Sequence, residues 1–320
     1  MSAPGRPKGE YRSAQHEGTP VSATWLVVWA SLLFALMGVC VKLASAHYGA
    51  GEIVLYRSLV GLVLMTGVLR VRRIAWRTPV PAMHFWRSFS GASALCMWFY
   101  AIGGLPLATA MTLNYMSSVW IALFLIGGSV LLTPERGGSA LIDHRLVAAV
   151  MTGFAGVALV LRPTIEQQQL WHGVVGLGSG LIAATAYLQV TALGRIGEPG
   201  ERVVLYFSIT GCVFGGVIAL LSGGLHGHTL QGAALLLAIG LLATAAQWMI
   251  TRAYGTGATL GVAALQYLGI AYSAGLGVLI FDEHLTWMSA AGIALIIAAG
   301  VAATLLRPRP RADVAAPTES

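Results

Sequence analysis

Residues 51–58 read Gly-Glu-Ile-Val-Leu-Tyr-Arg-Ser, and residues 200–208 read Gly-Glu-Arg-Val-Val-Leu-Tyr-Phe-Ser. The second stretch nearly repeats the first, about 150 positions further on. The chain therefore reads as one unit used twice, with apolar runs of membrane length between the copies. In a membrane protein a repeat with an odd number of spans turns its second copy upside down relative to the first.

Composition points the same way. Of the 320 residues 57% are hydrophobic and only 10% are charged, whereas a soluble domain is about a quarter charged. Mean hydropathy is +0.76. The net charge of +7 does not indicate nucleic acid, because the charges lie between apolar runs instead of forming one basic face. Residues 1–23 are polar and hold no apolar region of signal-peptide type, so no cleaved leader is expected. Cys40, Cys96 and Cys212 sit inside apolar runs, without disulfide or metal spacing, and read as small packing residues.

A hydrocarbon core of about 30 Å takes about 20 apolar residues per helix. Ten segments qualify: 24–45, 52–70, 85–104, 107–132, 145–161, 172–193, 203–222, 232–252, 258–281 and 287–306. With the N-terminus inside, sixteen of the nineteen Lys and Arg residues fall on the cytoplasmic side, Arg70, Arg72, Arg73, Arg77 and Arg87 among them. The exceptions are Lys42, Arg57 and Arg162, and loops 105–106, 223–231 and 282–286 carry none. This skew predicts both termini in the cytoplasm and an inner-membrane location.

The repeat recurs elsewhere. Ala155-Gly156-Val157-Ala158 before Leu161-Arg162-Pro163 in the fifth span matches Ala299-Gly300-Val301-Ala302 before Leu306-Arg307-Pro308 in the tenth. Leu113-Asn114-Tyr115 in the fourth matches Leu265-Gln266-Tyr267 in the ninth. The fold expected is an all-α membrane protein of ten transmembrane helices in two inverted five-helix repeats, 24–162 and 172–306. Polar tails 1–23 and 307–320 flank them.

The run Gln247-Trp248-Met249-Ile250-Thr251-Arg252-Ala253-Tyr254, followed by Gln266-Tyr267 and Phe281-Asp282-Glu283, resembles the EamA family of the drug/metabolite transporter (DMT) superfamily. Arg57 in the second span and Leu132 to Arg136 after the fourth fit the same pattern. The resemblance covers about residues 24–306. It implies a multi-pass transporter of small organic solutes working by alternating access, with helices 1–4 and 6–9 lining a central cavity and helices 5 and 10 outside. Many members carry a proline within the fourth helix. Here that region reads Met116-Ser117-Ser118-Val119-Trp120, so a kink that depends on proline is not expected.

An ionisable group deep in a bilayer is costly, about 2.5–3.5 kcal/mol on insertion scales. Arg57 is the outstanding case, about 10 Å along its helix. It suits a substrate carboxylate, or a structural pair with Glu52 or helix-end carbonyls. Asn114, Gln247 and Gln266 are amides able to donate and accept, to a solute or between helices. Trp98, Tyr115, Tyr187 and Tyr267 are aromatics within spans, suited to packing or to a flat solute. These eight are the candidate substrate-binding residues. No Asp or Glu lies in mid-span, so no proton-exchanging carboxylate of the small multidrug-pump type is evident. His226-Gly227-His228 has no carboxylate or cysteine to complete a metal site and reads as a solvated loop. No nucleophile elbow or phosphate-cradling loop is present, and no cofactor is expected.

The function expected is export of an amino acid or related metabolite. The alternatives are import of a nucleoside-like or vitamin solute and, more distantly, an intramembrane enzyme. The expected partners are the solute and the lipid bilayer, not nucleic acid, and monomer and homodimer stay open.

Overall fold

The computed structural model describes residues 23–121, 169–256 and 265–305, with 123, 124, 148, 152, 155, 156, 159, 262 and 263. Nine helices lie among the described residues, with no strand: α1 (Ala23–Ala44), α2 (Ala50–Val71), α3 (Pro81–Gly104), α4 (Leu107–Tyr115), α5 (Leu170–Arg195), α6 (Gly200–Leu221), α7 (Leu230–Gly255), α8 (Leu268–Phe281) and α9 (Trp287–Leu305). They correspond to predicted spans 1–4 and 6–10. The fifth, 145–161, lies largely outside the described residues; its described positions 148, 152, 155, 156 and 159 are helical. Helices α1, α2, α5, α6 and α7 are each long and apolar enough to cross a bilayer.

The helix ends follow from local sequence. Pro81 opens α3, where its missing N–H is no loss. Thr229 caps α7 by accepting from the Gly232 amide at 3.0 Å, one of the donors a helix start leaves unmatched. Beyond α6, Gly223 and Gly224 have φ of 110° and 92°. That left-handed backbone suits glycine and turns the Gly224 N–H back to the Ala219 carbonyl at 2.8 Å.

The repeated stretches lie on α2 and α6, which pack together along their length. A Cβ on Gly51 would meet Ala219, one on Gly215 would meet Leu55, one on Gly211 would meet Ser58 and one on Gly61 would meet Ser208. Contacts that ascend on one helix while descending on the other make the pair antiparallel. The seating is reciprocal, since each copy's serine rests on the other copy's glycine. The ends reciprocate too. Glu52 takes the His226 amide at 3.1 Å and lies 2.8 Å from His226 Nδ1, just past the end of α6. Glu201 accepts from Arg72 Nη1 at 2.8 Å, just past the end of α2. The other principal interfaces are α3 on α5 and α1 on α7, then α2 on α7, α3 on α6, α1 on α8 and α4 on α5. Outward positions stay apolar: Val63, Val213 and Leu220 are 71%, 60% and 72% exposed, as lipid-facing side chains would be.

One expectation needs correction. The sequence reads the fourth span as one segment over 107–132, without the proline on which a gating kink would depend. The structure ends α4 at Tyr115, turns at Met116 and resumes helix over 117–121. The neighbouring helix supplies a physical reason. At the break Gly180 of α5 lies so close that a Cβ there would meet the Leu113 carbonyl at 2.6 Å and the Asn114 carbonyl at 3.0 Å. A second turn falls at Gln266–Tyr267, before α8. The two turns occupy the positions matched in sequence.

Candidate functional site

Seven helices meet around a cavity of about 50 Å³, room for roughly three to five water molecules. It is lined by Arg57 of α2, Arg87 and Trp98 of α3, Asn114 and Tyr115 of α4, Tyr187 of α5, Phe207 of α6 and Gln247 of α7, with Phe34 of α1 behind Trp98. Phe34 meets Trp98 edge-on at 6.3 Å. Ala183, Ala186 and Gly91 keep the remaining wall thin.

Six of the eight candidates from sequence, Arg57, Trp98, Asn114, Tyr115, Tyr187 and Gln247, line this space. Gln266 and Tyr267 do not. Tyr187 stacks on Tyr254 at 4.6 Å, and the Tyr254 hydroxyl donates to Gln266 Oε1 at 2.8 Å. Gln266 therefore stands one layer behind the wall. Tyr267 is fully buried beside it in sequence, with no hydrogen bond to its hydroxyl among the described residues. Asn114 donates to Ser179 Oγ at 3.0 Å and Gln247 to Thr251 Oγ1 at 3.3 Å. Each amide thus uses one donor on a neighbour, which fixes its orientation toward the cavity.

Arg87 is the residue that sequence reading misplaced. It was counted with the cytoplasmic charges, but α3 begins at Pro81 and carries Arg87 well inside the bundle, 2% exposed. Its Cζ lies 4.3 Å from the ring centre of Phe207, and that of Arg57 lies 5.1 Å from the same ring. The two Cζ atoms are thus within about 10 Å of each other. Room for Arg87 comes from Gly91 one turn on, where a Cβ would meet Nη1 at 2.5 Å. Arg57 Nε and Arg87 Nε and Nη1 are buried with no hydrogen-bond partner among the described residues. Phe207 is the repeat counterpart of Arg57, so a position where the copies differ in character brings its two residues into contact.

The described carboxylates near these helices are engaged elsewhere. Glu52 holds His226, so it is not the partner of Arg57. His228 of the same loop packs edge-on against Tyr56 at 5.0 Å, so the two histidines are exposed but latched. At the opposite end Glu198 accepts from Thr78 at 3.0 Å and Arg202 at 2.9 Å and lies 3.2 Å from His84 Nε2. Burial raises the Glu198 carboxyl pKa, but these bonds outweigh it and hold the group below its ordinary value. Glu283 pairs with Lys42 and accepts from the Leu107 amide with both oxygens, at 2.9 and 3.0 Å. It is a cap for the start of α4. The cavity is left with two buried cations, two amides and a ring of aromatics, and no acid among its lining residues. Among the described residues no group of three His, Cys, Asp or Glu is placed to hold a metal ion.

No protein-family profile matches the chain. It is 32% identical over 281 residues to the pseudopaline exporter CntI of Pseudomonas aeruginosa, covering 88% of this chain and 95% of that one. It is 26% identical over 285 residues to a riboflavin transporter of Vibrio cholerae, covering 86% of this chain and 91% of that one. A solved crystal structure superposes with a TM-score of 0.63 at 18% identity, covering 89% of this chain and 99% of that one, which speaks for the fold alone. The chain belongs to the same family of membrane transporters as the pseudopaline exporter.

Proposed function

We propose that the chain is an EamA-type member of the drug/metabolite transporter superfamily that exports an amino acid or related metabolite by alternating access. The observation that carries this reading is the half-open cavity, lined from both halves of the chain and furnished with two buried guanidinium groups that have no acidic partner among the described residues. Arg57, Trp98, Asn114, Tyr115, Tyr187 and Gln247 contact the solute; Gln266 and Tyr267 shape the turn behind them. Two inverted five-helix repeats over 24–162 and 172–306, ten spans and cytoplasmic termini in the inner membrane complete the proposal.

Several features support it. Exchanging α1–α4 with α5–α8 leaves the principal interfaces unchanged: α3 on α5 becomes α7 on α1, α2 on α7 becomes α6 on α3, and α2 on α6 maps onto itself. An antiparallel pair at the centre of such an exchange is what inverted repeats produce. Turns at Met116 and at Gln266–Tyr267 interrupt helices where this class of carrier builds its sites. The cavity of about 50 Å³ holds a few waters, and parting of the halves, the motion alternating access needs, would widen it for a solute. The direction follows the pseudopaline exporter.

A second reading is import of a vitamin-like solute. The aromatic lining of Phe34, Trp98, Tyr115, Tyr187 and Phe207 favours a flat ring, as does the relative named as a riboflavin transporter. Growth rescue of an auxotroph supports import; resistance to an excess metabolite supports export. Solute flux in reconstituted vesicles, abolished by Arg57→Ala, is the expected result. Product formation without flux would overturn transport altogether. Crosslinks closing the Lys42 end and the Glu198 end should each trap one state, and flux unimpaired by both would refute the rocking mechanism.

A further inference from the structure

We infer that the transported solute carries two acidic groups, held by Arg57 and Arg87 as a two-pronged clamp across Phe207. This rests on the proposed transport reading and narrows its substrate class, from amino acids and related metabolites in general to the diacids among them, monocarboxylate amino acids being disfavoured. Arg57 and Arg87 are 4% and 2% exposed and line the same cavity, and Arg57 Nε and Arg87 Nε and Nη1 have no hydrogen-bond partner among the described residues. Guanidinium is fully charged and presents a planar fork of donors that matches a carboxylate bidentately. Buried charges are tolerated when paired, and among the described residues these two meet one aromatic ring in place of an acid.

A solute with a single carboxylate satisfies one guanidinium and leaves the other buried and unmatched. A zwitterionic monocarboxylate does worse, because its ammonium enters a cavity whose lining holds two cations and no acid. A diacid neutralises both prongs. The separation of the two Cζ atoms, within about 10 Å, suits acids joined by a short chain. Asn114 and Gln247 remain on the wall for uncharged polar groups of the solute, and the aromatic ring contacts its apolar part. Phe207 contributes its ring as a weak counter-pole for both cations, which it does not neutralise.

The test uses the purified full-length protein and defined probes: glutarate, its monoacid analogue butyrate, dimethyl glutarate and the diamine cadaverine, titrated calorimetrically and by thermal shift. Glutarate should bind at least tenfold more tightly than butyrate, with no binding by the ester or the diamine. Arg57→Gln and Arg87→Gln should each reduce glutarate to the level of butyrate. Because removing a buried arginine can disturb folding, Arg57→Lys and Arg87→Lys serve as the second pair; they keep the charge, lose the fork and should retain intermediate affinity. Equal affinity for glutarate and butyrate, binding of cadaverine, or wild-type glutarate affinity in folded Arg87→Gln overturns the clamp. Failure of the two readings is separable in vesicles. Selective glutarate binding with no glutarate flux refutes transport and leaves the clamp standing. Flux of a neutral or cationic solute that glutarate does not inhibit refutes the clamp and leaves transport standing.

Discussion

Replacing Gly61 with alanine tests the reciprocal seating of α2 on α6. A Cβ at position 61 would lie 2.7 Å from Ser208 Oγ, 3.1 Å from Thr244 Oγ1 and 3.6 Å from Ser208 Cβ. Ordinary contact begins at 3.4 Å, so about 0.7 Å must be recovered from the serine hydroxyl. That hydroxyl donates to the Val204 carbonyl at 3.0 Å, and turning it away forfeits a bond of about 0.5–1.5 kcal/mol. With the residual squeeze on Thr244, the expected loss is about 1–2 kcal/mol, at the lower end of overpacking penalties. Ser208→Ala removes the offending oxygen and leaves a Cβ at an ordinary distance, so Gly61→Ala/Ser208→Ala should regain most of the loss. Gly67 has nothing within 4 Å and gives the control, Gly67→Ala, which should be neutral or slightly stabilising. The assay is thermal unfolding in detergent followed by size-exclusion fluorescence. If Gly61→Ala melts with Gly67→Ala, or if Ser208→Ala fails to relieve it, the antiparallel register deduced for α2 and α6 is wrong.

Other outcomes follow from the same geometry. A Cβ at Gly91 intrudes on Arg87 Nη1, the far end of a flexible side chain, at 2.5 Å and on the buried Phe207 ring at 3.1 Å, so Gly91→Ala should cost about 1–2 kcal/mol in melting while glutarate affinity falls several-fold in calorimetry. Glu198 has a depressed carboxyl pKa. Its stabilisation is therefore present above the ordinary Glu value, about 4.3, and is lost as pH falls through the lower folded value. A melting-against-pH series should show an acid limb that Glu198→Gln flattens, and an unchanged limb would refute the assignment. Glu283→Ala strands the Leu107 amide and Lys42 together, and should destabilise by about 1–3 kcal/mol in the same melting assay, more than Lys42→Met, which leaves the Glu283–Leu107 cap in place.

Much of this bundle is legible in the sequence because lipid demands it. Apolar length marks the helices, and Gly51-Glu52 and Gly200-Glu201 announce two helices of one design. The interruption of α4 is not legible, because no proline marks it. It arises from a tertiary contact, Gly180 pressing on the Leu113 and Asn114 carbonyls, and the only local hint was the amide–tyrosine pair recurring at Gln266–Tyr267. Arg87 escaped for a different reason. An arginine near a helix start ordinarily reads as an interfacial charge, and its burial depends on α3 beginning at Pro81. The small Gly91 one turn later, on the same face, was the signal that a long side chain lies there.

On the alternating-access reading proposed above, two buried guanidinium groups with no acidic partner among the described residues also make the empty carrier sensitive to voltage. In a rocking carrier the site stays near mid-membrane while the water-filled access path changes sides, so the electrical potential drops across whichever gate is shut. Moving one elementary charge through the whole field is worth about 2.3 kcal/mol per 100 mV, and the unloaded site carries two. With the cell interior negative, the potential therefore favours the empty site in electrical contact with the cytoplasm. A diacid cancels that charge and releases the bias, so the loaded carrier turns without it. The membrane battery then acts on the return stroke, resetting the protein toward the side from which an exporter must load.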